Sequence, residues 1–461
     1  MSTIPERRSF LLGAALGLGV AAVPAALLLR DRFARHTPVA PVGKAPVPLA
    51  MPGRFPGRVI EARDERSVTP TNRIVPEVVS EMVDRGMAGL VGGDPRDVAG
   101  NWKTFFGKED YVGIKVNPVG KATQRHVGAI SSPALLVRVV ECLKAAGVDP
   151  RRIFVFERYA EECAEVYGNL MTTRPLDGVR WVASAVRYTG TQVAIDGFDE
   201  GRDSCSPELA RHVVGYDPDV FSTMGYCSRD HDPKDDRRFR SHLSTIVTKL
   251  VDKVITLPVL KDHRSAGVTL ALKNLSHGMN NNVARSHLSG IAHGVFDGTT
   301  PTGPNQCNTF IPQAAGQLPL RQKATLHILD GLIGVYEGGP GSWNRTWGTW
   351  RHKGLFFATD PVAMDHVGWT IIDAKRRALG WPAVAEMGLQ NYPYDARIRA
   401  AMAAFTTQGG IPAATLALAS DHLLAGRGSE VFNLRQPEHI VLAGEMGLGE
   451  FDRNKIDYRT V

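Results

Sequence analysis

Lysine, histidine, asparagine and aspartate recur in this chain directly after short apolar runs. These types hold negative charge, move protons and bind polar ligands. Lys115 and Asn117 close one such run, Lys261, Asp262 and His263 a second, and Asp330 and Asp360 a third and fourth. A lysine ammonium can bind an anion or stabilise a developing oxyanion, and a histidine titrates near neutrality and can shuttle a proton. Lys115, Lys261, His263 and Asp330 are therefore the candidate catalytic residues. Asn117, Lys273, Asn274 and Glu337 are candidate substrate ligands, and Asp360 with Asp365 a candidate pair for a metal ion. Plainer readings stand beside these: Asp360 as a helix cap and Asp330 as a turn residue.

His263, His277, His287 and His293 cluster with Asn280-Asn281-Asn282 between them. Their spacing matches no helical His-x-x-x-His pair, so they read either as metal ligands or as side chains that bond substrate and shape a polar loop. The loop Tyr336-Glu337-Gly338-Gly339-Pro340-Gly341 suits close backbone approach to a ligand. It lacks the Gly-x-x-x-x-Gly-Lys-Ser/Thr spacing of a nucleotide P-loop. The absence of a Gly-x-Ser-x-Gly elbow weakens a serine hydrolase reading.

Several classes are disfavoured by composition. The five cysteines, Cys142, Cys163, Cys205, Cys227 and Cys307, form no Cys-x-x-Cys pair, so no iron–sulfur cluster is expected from this chain alone. At most one bridge, Cys205 with Cys227, is expected. Net charge is +7, but the arginines are scattered in pairs without a basic run, which argues against nucleic acid; a small anionic substrate fits the bias better, and a merely soluble surface fits it best. With 43% hydrophobic and 22% charged residues the chain is globular and can fill an ordinary core.

The elements that must position these residues read as alternating strand and helix. Tyr111 to Val116 is a strand, Ser132-Pro133 opens a helix that Gly147 stops, and Arg152 to Phe156 is the next strand, giving a βαβ unit. Further strands are expected at Val179 to Ala183, Lys253 to Leu257, Leu326 to Leu329 and Gly354 to Ala358, with a helix from Pro361 to Leu379. The expected class is α/β, a mostly parallel sheet flanked by helices, with long polar excursions over residues 200–245 and 298–323. In such sheets ligands sit outside the carboxyl ends of the strands, where the candidates fall.

The N-terminus carries a separate signal. Glu6-Arg7-Arg8-Ser9-Phe10-Leu11-Leu12 matches the twin-arginine export pattern, and an uncharged run from Phe10 to Leu29 follows. Residues 1–30 are expected to be a signal or an uncleaved anchor: Val23-Pro24-Ala25 is a passable cleavage site, whereas Arg30-Asp31-Arg32 suits an anchor. Residues 31–58 read as a proline-rich linker and residues 59–461 as the body, with two lobes meeting near residue 246 as one option. The expected location is periplasmic or membrane-anchored outside the cytoplasm, with the twin-arginine translocase as transient partner. Proteins exported folded commonly carry a cofactor, which leaves its identity unknown and a metal ion one option.

Gly113-Ile114-Lys115-Val116-Asn117, Val254 through His263 and Thr269 through Leu275 are joined by Ile328-Leu329-Asp330-Gly331, Glu337-Gly338-Gly339-Pro340 and Ala358 through Asp365. In this order they resemble the DUF362 family, a domain of unknown function. The resemblance implies no general activity. Some relatives carry ferredoxin-like cluster modules, which implies redox work, but this chain lacks the cysteines for such a module. Two readings follow: an enzyme acting on a small anionic or carbonyl-bearing compound, metal- or redox-linkage being options, or a ligand-binding accessory protein of the cell envelope without turnover.

Overall fold

The computed structural model describes residues 49–188, 206–223, 240–263, 266–286, 307–344, 346–384 and 437–461, all within one compact unit. The twin-arginine segment, His287, His293, Cys205 and Cys227 lie outside the described residues.

The strands, in chain order, are β1 (Arg58–Arg63), β2 (Val112–Lys115), β3 (Ile153–Tyr159), β4 (Arg180–Ala185), β5 (Tyr216–Thr223), β6 (Arg240–Ser244), β7 (Lys253–Thr256), β8 (Val259–His263), β9 (Gly267–Val268), β10 (Ala324–Glu337), β11 (Gly348–Ala358) and β12 (Asp457–Thr460). The helices that matter here are α1 (Pro76–Val91), α2 (Pro133–Ala145), α3 (Ala160–Tyr167), α4 (Leu270–Ser276), α5 (Cys307–Ala315), α6 (Pro361–Ala378) and α7 (Glu438–Glu445).

One large sheet runs β12-β1-β11-β10-β7-β2-β3-β4. From β10 through β4 every pairing is parallel, while β11 is antiparallel to both β10 and β1. From β2 the chain winds outward through β3 and β4, then returns to β7 on the other side of β2. That reversal between β2 and β7 is the kind of switch point beside which open α/β sheets bind ligands, outside the carboxyl ends of the strands.

Helices cover both faces of the sheet, so successive strand residues serve different cores. Ile153 and Val155 pack with α1 and α2, whereas Phe154 and Phe156 pack with α4 and α6. On β11, Leu355 and Phe357 join the first core and Phe356 and Ala358 the second. Local signals explain the helices. Ser132 accepts the Leu135 N–H in front of Pro133, and Gly147, at φ 99°, ends the turn after α2. Asp360 caps α6 through the N–H groups of Val362 and Ala363.

Three differences from the sequence reading have physical causes. Residues 49–57, expected at the end of a linker, are tied to the body: Ala50 and Met51 donate to the Arg321 carbonyl, and Gly57 donates to Asp360. The polar stretch 200–245 contains the antiparallel pair β5-β6, whose sequence lacks apolar alternation, and the stretch 298–323 contains α5. The strand expected to end at Leu329 instead continues to Glu337, because β11 pairs with it along that length through two register shifts.

Candidate functional site

A cavity of about 170 Å³ opens at the switch point, a volume comparable with cavities that accept one benzene-sized molecule. Its polar lining is delivered by four places in the chain. The end of β2 supplies Lys115 and Asn117, and the end of β3 with the start of α3 supplies Glu157, Arg158 and Glu162. β8 supplies Lys261 and His263, and α4 supplies Lys273 and Asn274. Alternation along β8 sends Lys261 and His263 toward the cavity and Asp262 away from it, where the N–H groups of Gly338 and Gly339 hold its carboxylate.

The lysines differ in how they are held. Lys115 is buried and donates to Glu157 Oε2 at 2.6 Å and to the Val116 carbonyl at 2.7 Å, and its stem lies against Gly278, where a Cβ would fall 2.9 Å from Lys115 Nζ. Lys261 is fully buried and donates to Asn117 Oδ1 at 3.2 Å and to the Val119 carbonyl. Lys273 is 7% exposed, and its ammonium makes no hydrogen bond among the described residues. Burial, and after it the Lys273 charge, pulls Lys261 down to about 7, against the opposing pull of Glu157, Glu162 and Asp262. Burial likewise lowers Lys273 to about 8. Burial and then the Glu157 charge push Glu162 up to about 7. The cavity thus holds amines and a carboxyl that exchange protons near neutrality, the condition general acid–base chemistry needs.

Asn274 stands out. It is 4% exposed, yet among the described residues neither its amide nitrogen nor its amide oxygen has a hydrogen-bond partner. An unpaired buried amide costs about 1–3 kcal/mol, and this one sits on the cavity wall beside Lys273. His263 accepts the Ala266 N–H at Nδ1, which leaves Nε2 as the nitrogen bearing the proton in the neutral ring. His277 lines the cavity at its rim and is anchored by Ser276 at Nδ1 and by Ser286 at Nε2, 2.6 Å away.

The structure therefore brings Lys115, Asn117, Lys261, His263, Lys273 and Asn274 to one cavity and places the other four candidates elsewhere. Asp330 lies inside β10 rather than at a strand end. Ile328 and Leu332 on either side of it pack against α1 and α2, so its side chain faces that core and accepts the N–H groups of Ser132 and Leu332. Burial pushes its carboxyl up to about 6 against those donors. Asp360 follows β11, and because that strand is antiparallel its carboxyl end is the opposite edge of the sheet. Its two oxygens accept four backbone N–H groups, from Gly57, Val362, Ala363 and Glu450. Asp365 accepts the N–H groups of Ala271 and Leu272 at the start of α4. With their oxygens so engaged, Asp360 and Asp365 do not fit a cation between them. Among the described residues no group of three or more histidine, cysteine, aspartate or glutamate side chains converges as a metal site would. Glu337 is fully buried and pairs with Arg376 at 2.7 Å.

Glu157, Arg158 and Glu162 were not among the sequence candidates. The signal was present, since Glu157-Arg158 directly follows the apolar run Ile153-Phe154-Val155-Phe156 within β3 and Glu162 lies in the first turn of α3.

No curated protein matches the chain. Residues 232–370 match the family model for a domain of unknown function, DUF362, and this segment, which contains Lys261, His263, Lys273 and Asn274, supports the chain's membership of that family.

Proposed function

We propose that the cavity binds and transforms a small anionic, carbonyl-bearing compound, and that the protein does this outside the cytoplasm after twin-arginine export. The observation that carries the reading is the buried Asn274 amide, which has no hydrogen-bond partner on either atom among the described residues and lines a cavity of ligand size together with Lys115, Lys261 and Lys273. An amide that offers both a donor and an acceptor to the cavity fits a carbonyl or carboxylate oxygen beside a hydroxyl or protonated group. Lys261, fixed by Asn117 and the Val119 carbonyl, supplies positive charge for the anionic part. Glu162 and His263 are the groups placed to give and take protons.

The test is a binding panel of small mono- and dicarboxylates with and without a keto group, followed by assay for loss of any binder under turnover conditions. The reading expects binding that Lys261→Met weakens at least tenfold while the variant stays folded at the assay temperature. Failure of every keto acid and carboxylate to bind would sink it, and binding without turnover would make the protein an accessory binder instead. The export part rests on Arg7-Arg8 followed by Phe10. An Arg7→Lys, Arg8→Lys double variant should leave folded protein in the cytoplasm, and unchanged export would point to the Sec route.

A further inference from the structure

We infer that Lys273 is a covalent nucleophile, which condenses with the carbonyl of the bound compound to form an imine. This rests on the binding reading above and goes one step beyond it, because it names the bond and the atom that makes it.

The choice among the three cavity lysines follows from what an imine does to a side chain. A primary amine that becomes an imine gives up both of its N–H hydrogens. Lys115 would lose its ion pair with Glu157 and its bond to the Val116 carbonyl. Lys261 would lose its bonds to the buried Asn117 amide oxygen and to the partly buried Val119 carbonyl. Lys273 has no hydrogen bond among the described residues to lose. Its nitrogen is free to approach a carbonyl carbon, and it stands one residue before the unpartnered Asn274. Burial, with the Arg158 charge and against the opposing pull of Cys307, lowers it to about 8, so mildly alkaline pH supplies the uncharged form whose lone pair attacks.

The step balances without an oxidant or reductant. The lone pair of Lys273 Nζ bonds to the carbonyl carbon while the C=O π pair moves to oxygen, which takes a proton. The nitrogen gives up a proton, giving a carbinolamine. A second proton, from the Glu162 carboxyl, lets the hydroxyl leave as water, and the nitrogen lone pair closes the C=N bond. The remaining N–H proton then returns to Glu162. One amine and one carbonyl yield one imine and one water. Asn274 is placed to hold the oxygen through the carbinolamine, and Lys261 to hold an adjacent carboxylate.

The experiment treats the full-length protein with pyruvate or acetoacetate and cyanoborohydride at mildly alkaline pH, then maps the reduced adduct by peptide mass spectrometry. Binding of each keto acid and of lactate is measured in parallel without reductant. The inference expects a stoichiometric adduct on Lys273 that forms at least tenfold faster than any adduct on surface lysines and is absent in Lys273→Arg. An adduct on Lys261 in place of Lys273, or labelling spread over surface lysines at equal rates, overturns it. Binding of pyruvate and lactate alike with no adduct at Lys273 also overturns it, while leaving the binding reading standing. Neither binding nor adduct overturns both. Should Lys273→Arg fail to fold, the mapped position in the parent protein still decides.

Discussion

Two buried polar clusters in this protein look alike in composition and differ in completeness. Around Arg376, every strong group has a partner from the chain itself. The guanidinium bonds Glu337, the Tyr336 carbonyl and the Pro382 carbonyl, and Glu337 also receives Thr346. At the switch point, Lys273 has no hydrogen bond among the described residues, Asn274 has none, and two lysines are held well below their usual range. A cluster closed on itself is architecture. One left open retains a desolvation cost that a ligand can relieve, and this is the physical ground for treating the second as the site and the first as its frame.

The comparison breaks most sharply at Arg376. Arg376→Met should lose about 3–5 kcal/mol of stability, because it leaves the buried Glu337 charge without its partner. Urea unfolding measures this, and a loss below about 1 kcal/mol would mean the closed cluster is not the frame. Next in size is Asp360→Ala, which removes the cap of α6 and strands the N–H groups of Gly57 and Glu450. It should cost about 2–3 kcal/mol with ligand binding retained.

Lys261→Met tests the open cluster from the other side. Folded Lys261 titrates near 7 against 10.5 for the free side chain, so between these values the unfolded chain binds more protons. Stability of the parent should therefore rise with pH across that window, on the order of a few kcal/mol, and Lys261→Met should flatten the rise. The same variant should weaken ligand binding by at least about 1.4 kcal/mol. A parent whose melting temperature is flat over that window would show that Lys261 keeps an ordinary ammonium. The smallest stability loss belongs to Asn274→Leu, which replaces an unpaired amide by an apolar group of similar size. It should lose no stability and gain up to about 1–3 kcal/mol, while abolishing the gain in melting temperature that ligand gives. A large loss would mean the amide has a structural partner after all.

The α/β class and the ladder from β2 to β4 were legible because each strand contains a short apolar run, and the helix between β2 and β3 is marked by Ser132-Pro133 at its start and Gly147 at its end. Lys115 was legible because it closes β2 at the shared edge of the parallel strands, whereas Lys261 sits within β8 and Lys273 on α4. Asp360 misled that logic because pairing direction is not written in a strand's own composition, and β11 runs against its neighbour. Asp330 misled it because strand length depends on the partner, and β11 extends β10 well past the aspartate. Glu162 was overlooked because its effect comes from burial beside Glu157, a relation between two elements rather than a property of either.

One contact sets a limit on when the site can exist. The carboxylate of Asp365 holds the N–H groups of Ala271 and Leu272, the first turn of α4, from some 94 residues further along the chain. The helix that carries Lys273 and Asn274 is short, and seven residues are too few to hold helical form alone in water. During synthesis the segment bearing these side chains leaves the ribosome well before its anchor does. The cavity that Lys273 and Asn274 line is therefore completed late in folding, only when α6 docks against α4.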